Sequence, residues 1–127
     1  MIKRFLPSLI WMIIIFYFSS RSTVNFISDQ PTLRFYLLKF FHVTEYAVLV
    51  VLLYNGFKKF KYSIITAYLY AISDEIHQYF VSGRSSRFTD TLIDLGGILI
   101  GSLLLKIMLN WICETFLASF FHSSRKK

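Results

Sequence analysis

Four long apolar segments separated by short polar stretches constrain the fold of this chain more than any other feature. Hydrophobic residues make up 55% of the 127 residues and charged residues only 17%. A soluble domain needs a largely polar surface and would not carry so many apolar side chains. About 20 apolar residues cross a bilayer as an α-helix, so the sequence predicts an all-α membrane protein, a four-transmembrane-helix bundle formed by one domain over residues 1–127. The predicted spans cover residues 5–20, 35–54, 62–80 and 90–112.

The two ends of the chain allow more than one interpretation. The first apolar run, residues 5–18, follows Lys3 and Arg4, and a cleaved signal peptide has the same basic start and short apolar core. We favour a retained helix, because residues 19–23 offer no A-x-A-like cleavage site. At the other end, residues 114–127 place bulky apolar side chains before a basic terminus, which predicts a short amphipathic segment on the membrane surface.

The positive charge of the chain is distributed unevenly between the ends of the predicted spans. A net charge of +7 would suggest a nucleic-acid partner in a soluble protein, but here it lies beside apolar segments, so we expect none. The predicted cytoplasmic side carries Lys3, Arg4, Lys58, Lys59, Lys61, Arg125, Lys126 and Lys127, and the first and third loops carry Arg21, Arg34, Arg84 and Arg87. The positive-inside rule therefore predicts a multi-pass protein of the cell membrane with both termini cytoplasmic.

This orientation gathers polar residues into one layer near the outer surface. Five of the 7 acidic residues fall in that layer, namely Glu45, Asp74, Glu75, Asp90 and Asp94. On the second helix, residues 39, 42 and 46 are spaced to share one face. Charges inside a span usually face the protein interior and pair with one another. We therefore predict that polar faces of the second, third and fourth helices converge.

Simpler interpretations of the individual residues stay open. His42 alone would serve as a hydrogen-bonded packing residue, and Glu75 as an interfacial group. Asp94 lies deeper in its helix, where a carboxylate needs a partner. Gly97 and Gly101 are four residues apart, a spacing of small residues that indicates close helix packing.

Several of these residues lie in patterns that resemble the VanZ-like family. The patterns are Lys39-x-x-His42-x-x-x-Tyr46, Asp74-Glu75-x-x-Gln78, Gly83-Arg84 and Asp90-x-x-x-Asp94-x-x-Gly97. Arg21 and Asp94 depart from the family, where glutamine and asparagine are frequent at these positions. The resemblance implies a small polytopic membrane protein, related to a namesake that raises resistance to the glycopeptide antibiotic teicoplanin.

The first functional hypothesis is a cell-envelope protein that binds or modifies an anionic lipid-linked or glycan headgroup at the outer membrane face. Its partners would be membrane lipids, lipid-linked cell-wall intermediates or a glycopeptide. Lys39 and Arg84 would contact phosphate or carboxylate groups, and we expect Arg84 to pair with Asp90 or Asp94. The candidate binding residues are Lys39, Tyr46, Gln78, Arg84, Asp90 and Asp94.

Two other classes of function compete with this hypothesis. A membrane enzyme would use His42, Asp74 and Glu75 for general acid–base chemistry, although no G-x-S-x-G, H-E-x-x-H or P-loop sequence supports it. A small transporter would also use acidic residues within its spans. The inner halves of the predicted spans are apolar apart from Lys106, so a transporter would need an oligomer to complete a polar path.

Histidine and carboxylate side chains in this layer also suit zinc or manganese. The residues of these types are His42, Glu45, Asp74, Glu75 and His77. Lys39 lies one turn from His42, and Arg84 and Arg87 lie in the loop after the third predicted helix, so their positive charges oppose a divalent ion. We therefore expect neither a tightly bound metal nor a cofactor. The single cysteine, Cys113, excludes an intrachain disulfide.

Overall fold

The computed structural model describes residues 2–21, 31–81 and 88–124 and confirms the all-α prediction. The described part is 93% helical and contains no strand. After a short 3-10 turn at Ile2–Arg4, the α-helices are α1 Leu6–Ser19, α2 Pro31–Phe57, α3 Phe60–Tyr79 and α4 Phe88–Ser124.

Two of these helices are long and apolar enough to cross a membrane by themselves. The qualifying segments are Phe35–Phe57 in α2 and Thr89–Phe116 in α4. α1 is apolar but has 14 residues, or about 21 Å at 1.5 Å per residue, which is shorter than a bilayer core of about 30 Å. α3 carries polar residues in its second half. The described helices alone therefore support two spans, whereas the sequence predicts four.

The ends of α2 differ from the predicted span. The helix begins at Pro31, because proline has no N–H to satisfy in the first turn and its fixed φ suits that position. Asn55 and Gly56 have residue types that predict a turn, but both lie inside α2. The chain instead reverses after Phe57, where Lys58 takes a left-handed φ of 55°.

The predicted C-terminal amphipathic segment is the end of α4 and not a separate element. α4 has 37 residues, or about 55 Å of helix, and it passes through residue 112 without a break. Residues 102–124 contain neither glycine nor proline, so nothing in the local sequence stops the helix where the span was predicted to end.

Neighbouring helices in the sequence run in opposite directions. The ring of Phe5 packs against the ring of Phe57, with 4.9 Å between their centroids, so the start of α1 lies beside the end of α2. At the other end of the bundle, Ser20 Oγ and His77 Nε2 are 3.0 Å apart, so α1 and α3 finish together. The start of α1 and the turn between α2 and α3 form what we call the basic end, with Lys3, Arg4, Lys58, Lys59 and Lys61.

α2 and α4 run parallel and touch through their backbones. A Cβ on Gly97 would lie 2.4 Å from the carbonyl oxygen of Val43, and one on Gly101 would lie 2.5 Å from that of Ala47. Both distances are too short for any real side chain, so only glycine permits this approach. The close packing predicted from the glycine spacing is confirmed, and it sets the register of α2 against α4.

The outer surface of the bundle carries many large apolar side chains, whereas the buried apolar core is small. The buried apolar core is small and consists of Ile15, Tyr46, Leu49, Val50, Leu53, Ala67, Ala71 and Ile98. Large apolar side chains such as Leu103, Leu104 and Ile107 on α4 are more than half exposed. A continuous apolar surface of this kind is unusual in a soluble monomer and fits contact with lipid.

Candidate functional site

Polar side chains from α2, α3 and α4 meet near the end of the bundle opposite the basic end. We call this set the polar cluster, and its members are Lys39, His42, Tyr46, Asp74, Glu75, Gln78, Asp90 and Asp94. Most are buried, since Tyr46, Asp74, Glu75, Gln78 and Asp94 are each at most 5% exposed. Helical spacing explains the gathering, because the members on each helix lie within one or two turns of one another.

The most exposed contact of the cluster is an ion pair between α2 and α4. Lys39 Nζ lies 2.5 Å from Asp90 Oδ1, and the two side chains are 20% and 14% exposed. The ammonium group also lies 5.5 Å from the centroid of the Phe35 ring, within the range of a cation–π contact. Lys39 is therefore a cation at the rim of the cluster, and Asp90 offsets its charge.

A second contact between α2 and α4 lies deeper. His42 Nδ1 is 3.1 Å from Asp94 Oδ1, and the Asp94 side chain is 1% exposed. A carboxylate that accepts a hydrogen bond from imidazole fixes the orientation and tautomer of the ring. This arrangement occurs both where histidine transfers protons and where it binds metal ions.

The third contact joins α2 to α3. Gln78 Nε2 donates to Asp74 Oδ2 at 2.7 Å, and Tyr46 Oη donates to the same oxygen at 3.4 Å. Asp74 and Gln78 are one turn apart on α3, so the helix itself brings them together. One oxygen of the Asp74 carboxylate is thereby satisfied inside the bundle.

Other polar atoms of the cluster are buried without such contacts. Within the described ranges, Asp74 Oδ1 and Asp94 Oδ2 are buried and accept no hydrogen bond. Burying a carboxylate oxygen in this way is costly. Buried polar atoms of this kind point to a bound water, ion or ligand that completes them.

The comparison with known families identifies the chain. The family model described as VanZ/LLP1 matches residues 5–110. The chain belongs to the VanZ/LLP1 family. No curated protein and no solved structure matches it. Family membership and the two apolar helices together indicate a membrane protein.

The match contains every residue of the polar cluster, so the cluster lies inside the VanZ/LLP1 region. The convergence of three helix faces, predicted from helical spacing, is present in the structure. The roles assigned to the candidate residues stay predictions. Arg84 and Arg87 lie outside the described residues, as does the expected pairing of Arg84.

Within this VanZ/LLP1 member, Asp90 and Asp94 of α4 have partners on α2. Asp90 pairs with Lys39 and Asp94 with His42, and neither pair was predicted from the sequence. The parallel register that Gly97 imposes on α2 and α4 places these residues at matching heights. The glycine spacing predicted that α4 packs closely against another helix. It did not identify that helix as α2, so neither pair could be predicted from it.

His77 takes no part in the polar cluster. Its ring stacks on Phe16, with centroids 4.3 Å apart, and its Nε2 contacts Ser20. Sequence reasoning did not find two hydrogen bonds that join the middle of α1 to its neighbours. Trp11 Nε1 donates to the Glu45 carbonyl at 2.9 Å, and Tyr70 Oη donates to the Met12 carbonyl at 2.6 Å. No sequence spacing relates such distant partners.

Proposed function

We propose that this VanZ/LLP1 member crosses the cell membrane four times and binds an anionic lipid-linked or glycan headgroup at its polar cluster, on the outer face. The observation that carries this proposal is the convergence of charged and amide side chains from α2, α3 and α4 inside an otherwise apolar chain. Ionisable groups at membrane depth are costly, and they usually mark a functional site.

α3 is less hydrophobic than α2 and α4, but it can still cross a membrane. Its polar residues Asp74, Glu75 and Gln78 are buried against the other helices. Its outward surface instead carries apolar side chains such as Leu69 and Ile76, which are 61% and 58% exposed. Because 20 residues give about 30 Å of helix, α3 is long enough to span with its polar face turned inward.

The charge distribution supports an outward-facing cluster. The basic end carries Lys and Arg side chains that are all exposed, and it lies opposite the polar cluster. By the positive-inside rule, this distribution supports a cytoplasmic location for the basic end and both termini.

Cysteine labelling of intact cells tests this orientation, in a Cys113→Ser background. Phe80→Cys places a thiol at a position 77% exposed, near the cluster end. We expect it to react with a membrane-impermeant maleimide, whereas Lys59→Cys at the basic end should react only after permeabilisation. The reverse pattern would contradict the outward orientation.

Lys39, although paired with Asp90, has further ammonium hydrogens to donate at the rim, and Gln78 supplies an amide donor deeper in the cluster. Cationic and amide donors together suit phosphate and carboxylate oxygens. We extend the proposal to Arg84 and Arg87, which follow α3 in the sequence. Binding or modifying a lipid-linked cell-wall intermediate would also link this protein to teicoplanin-type resistance, because it would change the form of the intermediate that is accessible to the antibiotic.

One contact favours a second candidate, a membrane enzyme that acts on the same headgroup. The His42–Asp94 pair holds an imidazole beside a carboxylate, an arrangement suited to proton transfer. Asp74 or Glu75 would supply the second acid or base. Binding and catalysis differ in one observable, namely whether the headgroup is converted.

Mass spectrometry of purified protein incubated with a polyprenyl-linked cell-wall precursor tests both candidates. We expect retention of the precursor by the wild-type chain and a loss of about tenfold or more in Lys39→Met and Gln78→Leu, because both changes remove donors. Lys61→Met at the basic end is the matched control and should retain the precursor.

The possible results separate the candidates. Retention without conversion supports binding, and conversion that His42→Ala abolishes supports the enzyme. A wild-type chain that neither retains nor converts the precursor would overturn the proposed function.

A further inference from the structure

Three side chains of the polar cluster converge on one point. His42 from α2, Glu75 from α3 and Asp94 from α4 each place a ring nitrogen or a carboxylate oxygen there, and these atoms all lie within 4.8 Å of one another. Glu75 and Asp94 are 5% and 0% exposed. The donor set is one imidazole and two carboxylates, brought together from three different helices.

The spacing of two of these donors matches that of ligands around a shared ion. Zinc lies about 2.0–2.1 Å from nitrogen and oxygen ligands, so tetrahedral neighbours are about 3.3 Å apart. His42 Nδ1 and Asp94 Oδ1 are 3.1 Å apart. An ion bound to both atoms would replace the hydrogen bond between them with little movement of either side chain, and an oxygen of Glu75 lies within 4.8 Å of the other donor atoms.

An independent observation is the buried oxygen on the other side of the Asp94 carboxylate. Asp94 Oδ2 is buried and accepts no hydrogen bond from the described part of the chain. It belongs to the same carboxylate as the oxygen that faces His42. A divalent cation bound by this carboxylate would offset the cost of burying that oxygen.

The charges of the cluster also favour a cation. Lys39 is offset by Asp90 at the rim, so its charge does not balance the buried carboxylates Asp74, Glu75 and Asp94. The sequence predicted no metal because of the positive charges of Lys39, Arg84 and Arg87. The ion pair with Asp90 offsets the charge of Lys39, and Arg84 and Arg87 lie outside the described residues.

We propose that this chain binds one divalent transition-metal ion, zinc or manganese, through His42, Glu75 and Asp94. Imidazole with two carboxylates suits both ions. Three protein ligands leave a coordination position open. An anionic oxygen of a headgroup would fit that position, but the metal site itself stands on the donor geometry and not on the proposed function.

Elemental analysis and metal titration of the full chain test this site. Protein purified in detergent without chelator should contain about one zinc or manganese ion per chain. After EDTA treatment, zinc chloride or manganese chloride should raise the thermal unfolding midpoint. His42→Ala, Glu75→Gln and Asp94→Asn should each weaken binding of the added ion about tenfold or more, while the control His77→Ala should bind as the wild type does.

A cobalt titration of the wild-type chain gives a measurement that does not depend on the folding of any variant. Cobalt bound to nitrogen and oxygen ligands absorbs visible light, and zinc should abolish this absorption in competition. Absence of metal together with no shift from either ion and no cobalt absorption would overturn the proposal, as would full metal binding by His42→Ala. Metal binding without retention of the precursor would leave this site intact and defeat the proposed function alone.

Discussion

Gly97→Ala is expected to destabilise the bundle strongly, whereas Gly96→Ala, one residue earlier, is expected to have no such effect. The alanine Cβ at position 97 would lie 2.4 Å from the Val43 carbonyl oxygen, but at position 96 it meets nothing within 4 Å. Because backbone cannot move aside as a flexible side chain can, α2 and α4 must separate. Overpacking of this kind typically costs about 1–3 kcal/mol.

Thermal unfolding of the two variants in the same detergent measures this difference. The loss in Gly97→Ala should be accompanied by weaker Lys39–Asp90 and His42–Asp94 contacts, since both pairs join the separated helices. Equal midpoints for the two variants would contradict the close approach of α2 and α4.

The second large effect is expected at Asp74, where stability and binding should respond in opposite ways. One oxygen of this buried carboxylate accepts hydrogen bonds from Gln78 and Tyr46, and the other accepts none from described residues. Asp74→Asn keeps the shape and one acceptor oxygen but removes the charge. Burial of a neutral amide costs less than burial of a charge, so unfolding of EDTA-treated protein should be unchanged or shifted to higher temperature.

A residue kept for function at the expense of stability behaves in this way. We therefore expect Asp74→Asn to lose headgroup binding while it remains folded, because a neutral amide holds the Gln78 donor in place less firmly than the carboxylate does. A large drop in the unfolding temperature would show instead that Asp74 serves to hold α2 and α3 together.

Helical spacing predicted the composition of the polar cluster because it depends only on geometry within each helix. Lys39, His42 and Tyr46 must share a face of any helix that contains them. The partners of these residues depend on which helices are neighbours and in which register. That information comes from the contact of Gly97 with α2, which no local pattern reveals, so the sequence did not predict the pairs that Lys39 and His42 form.

The helix ends were predicted less well, and four spans stay a prediction, for a different physical reason. α4 continues past its predicted end because residues 102–124 contain neither glycine nor proline. α3 has a lower hydropathy than a typical span because it carries polar residues such as Asp74. These residues are buried inside the bundle, so they do not prevent the outer side of α3 from contacting lipid. Mean hydropathy does not separate the lipid-facing side of a helix from its interior side.

Extraction of the chain from its native membrane tests the central claim most directly. Wild type, Asp74→Asn and the control Lys61→Met would be purified in lipid discs, and their anionic headgroup lipids would be quantified by mass spectrometry at equal protein abundance. We predict enrichment of a lipid-linked headgroup over the bulk membrane in wild type and control, and its loss in Asp74→Asn. A lipid composition equal to that of the bulk membrane in all three would contradict the claim that the polar cluster binds a headgroup.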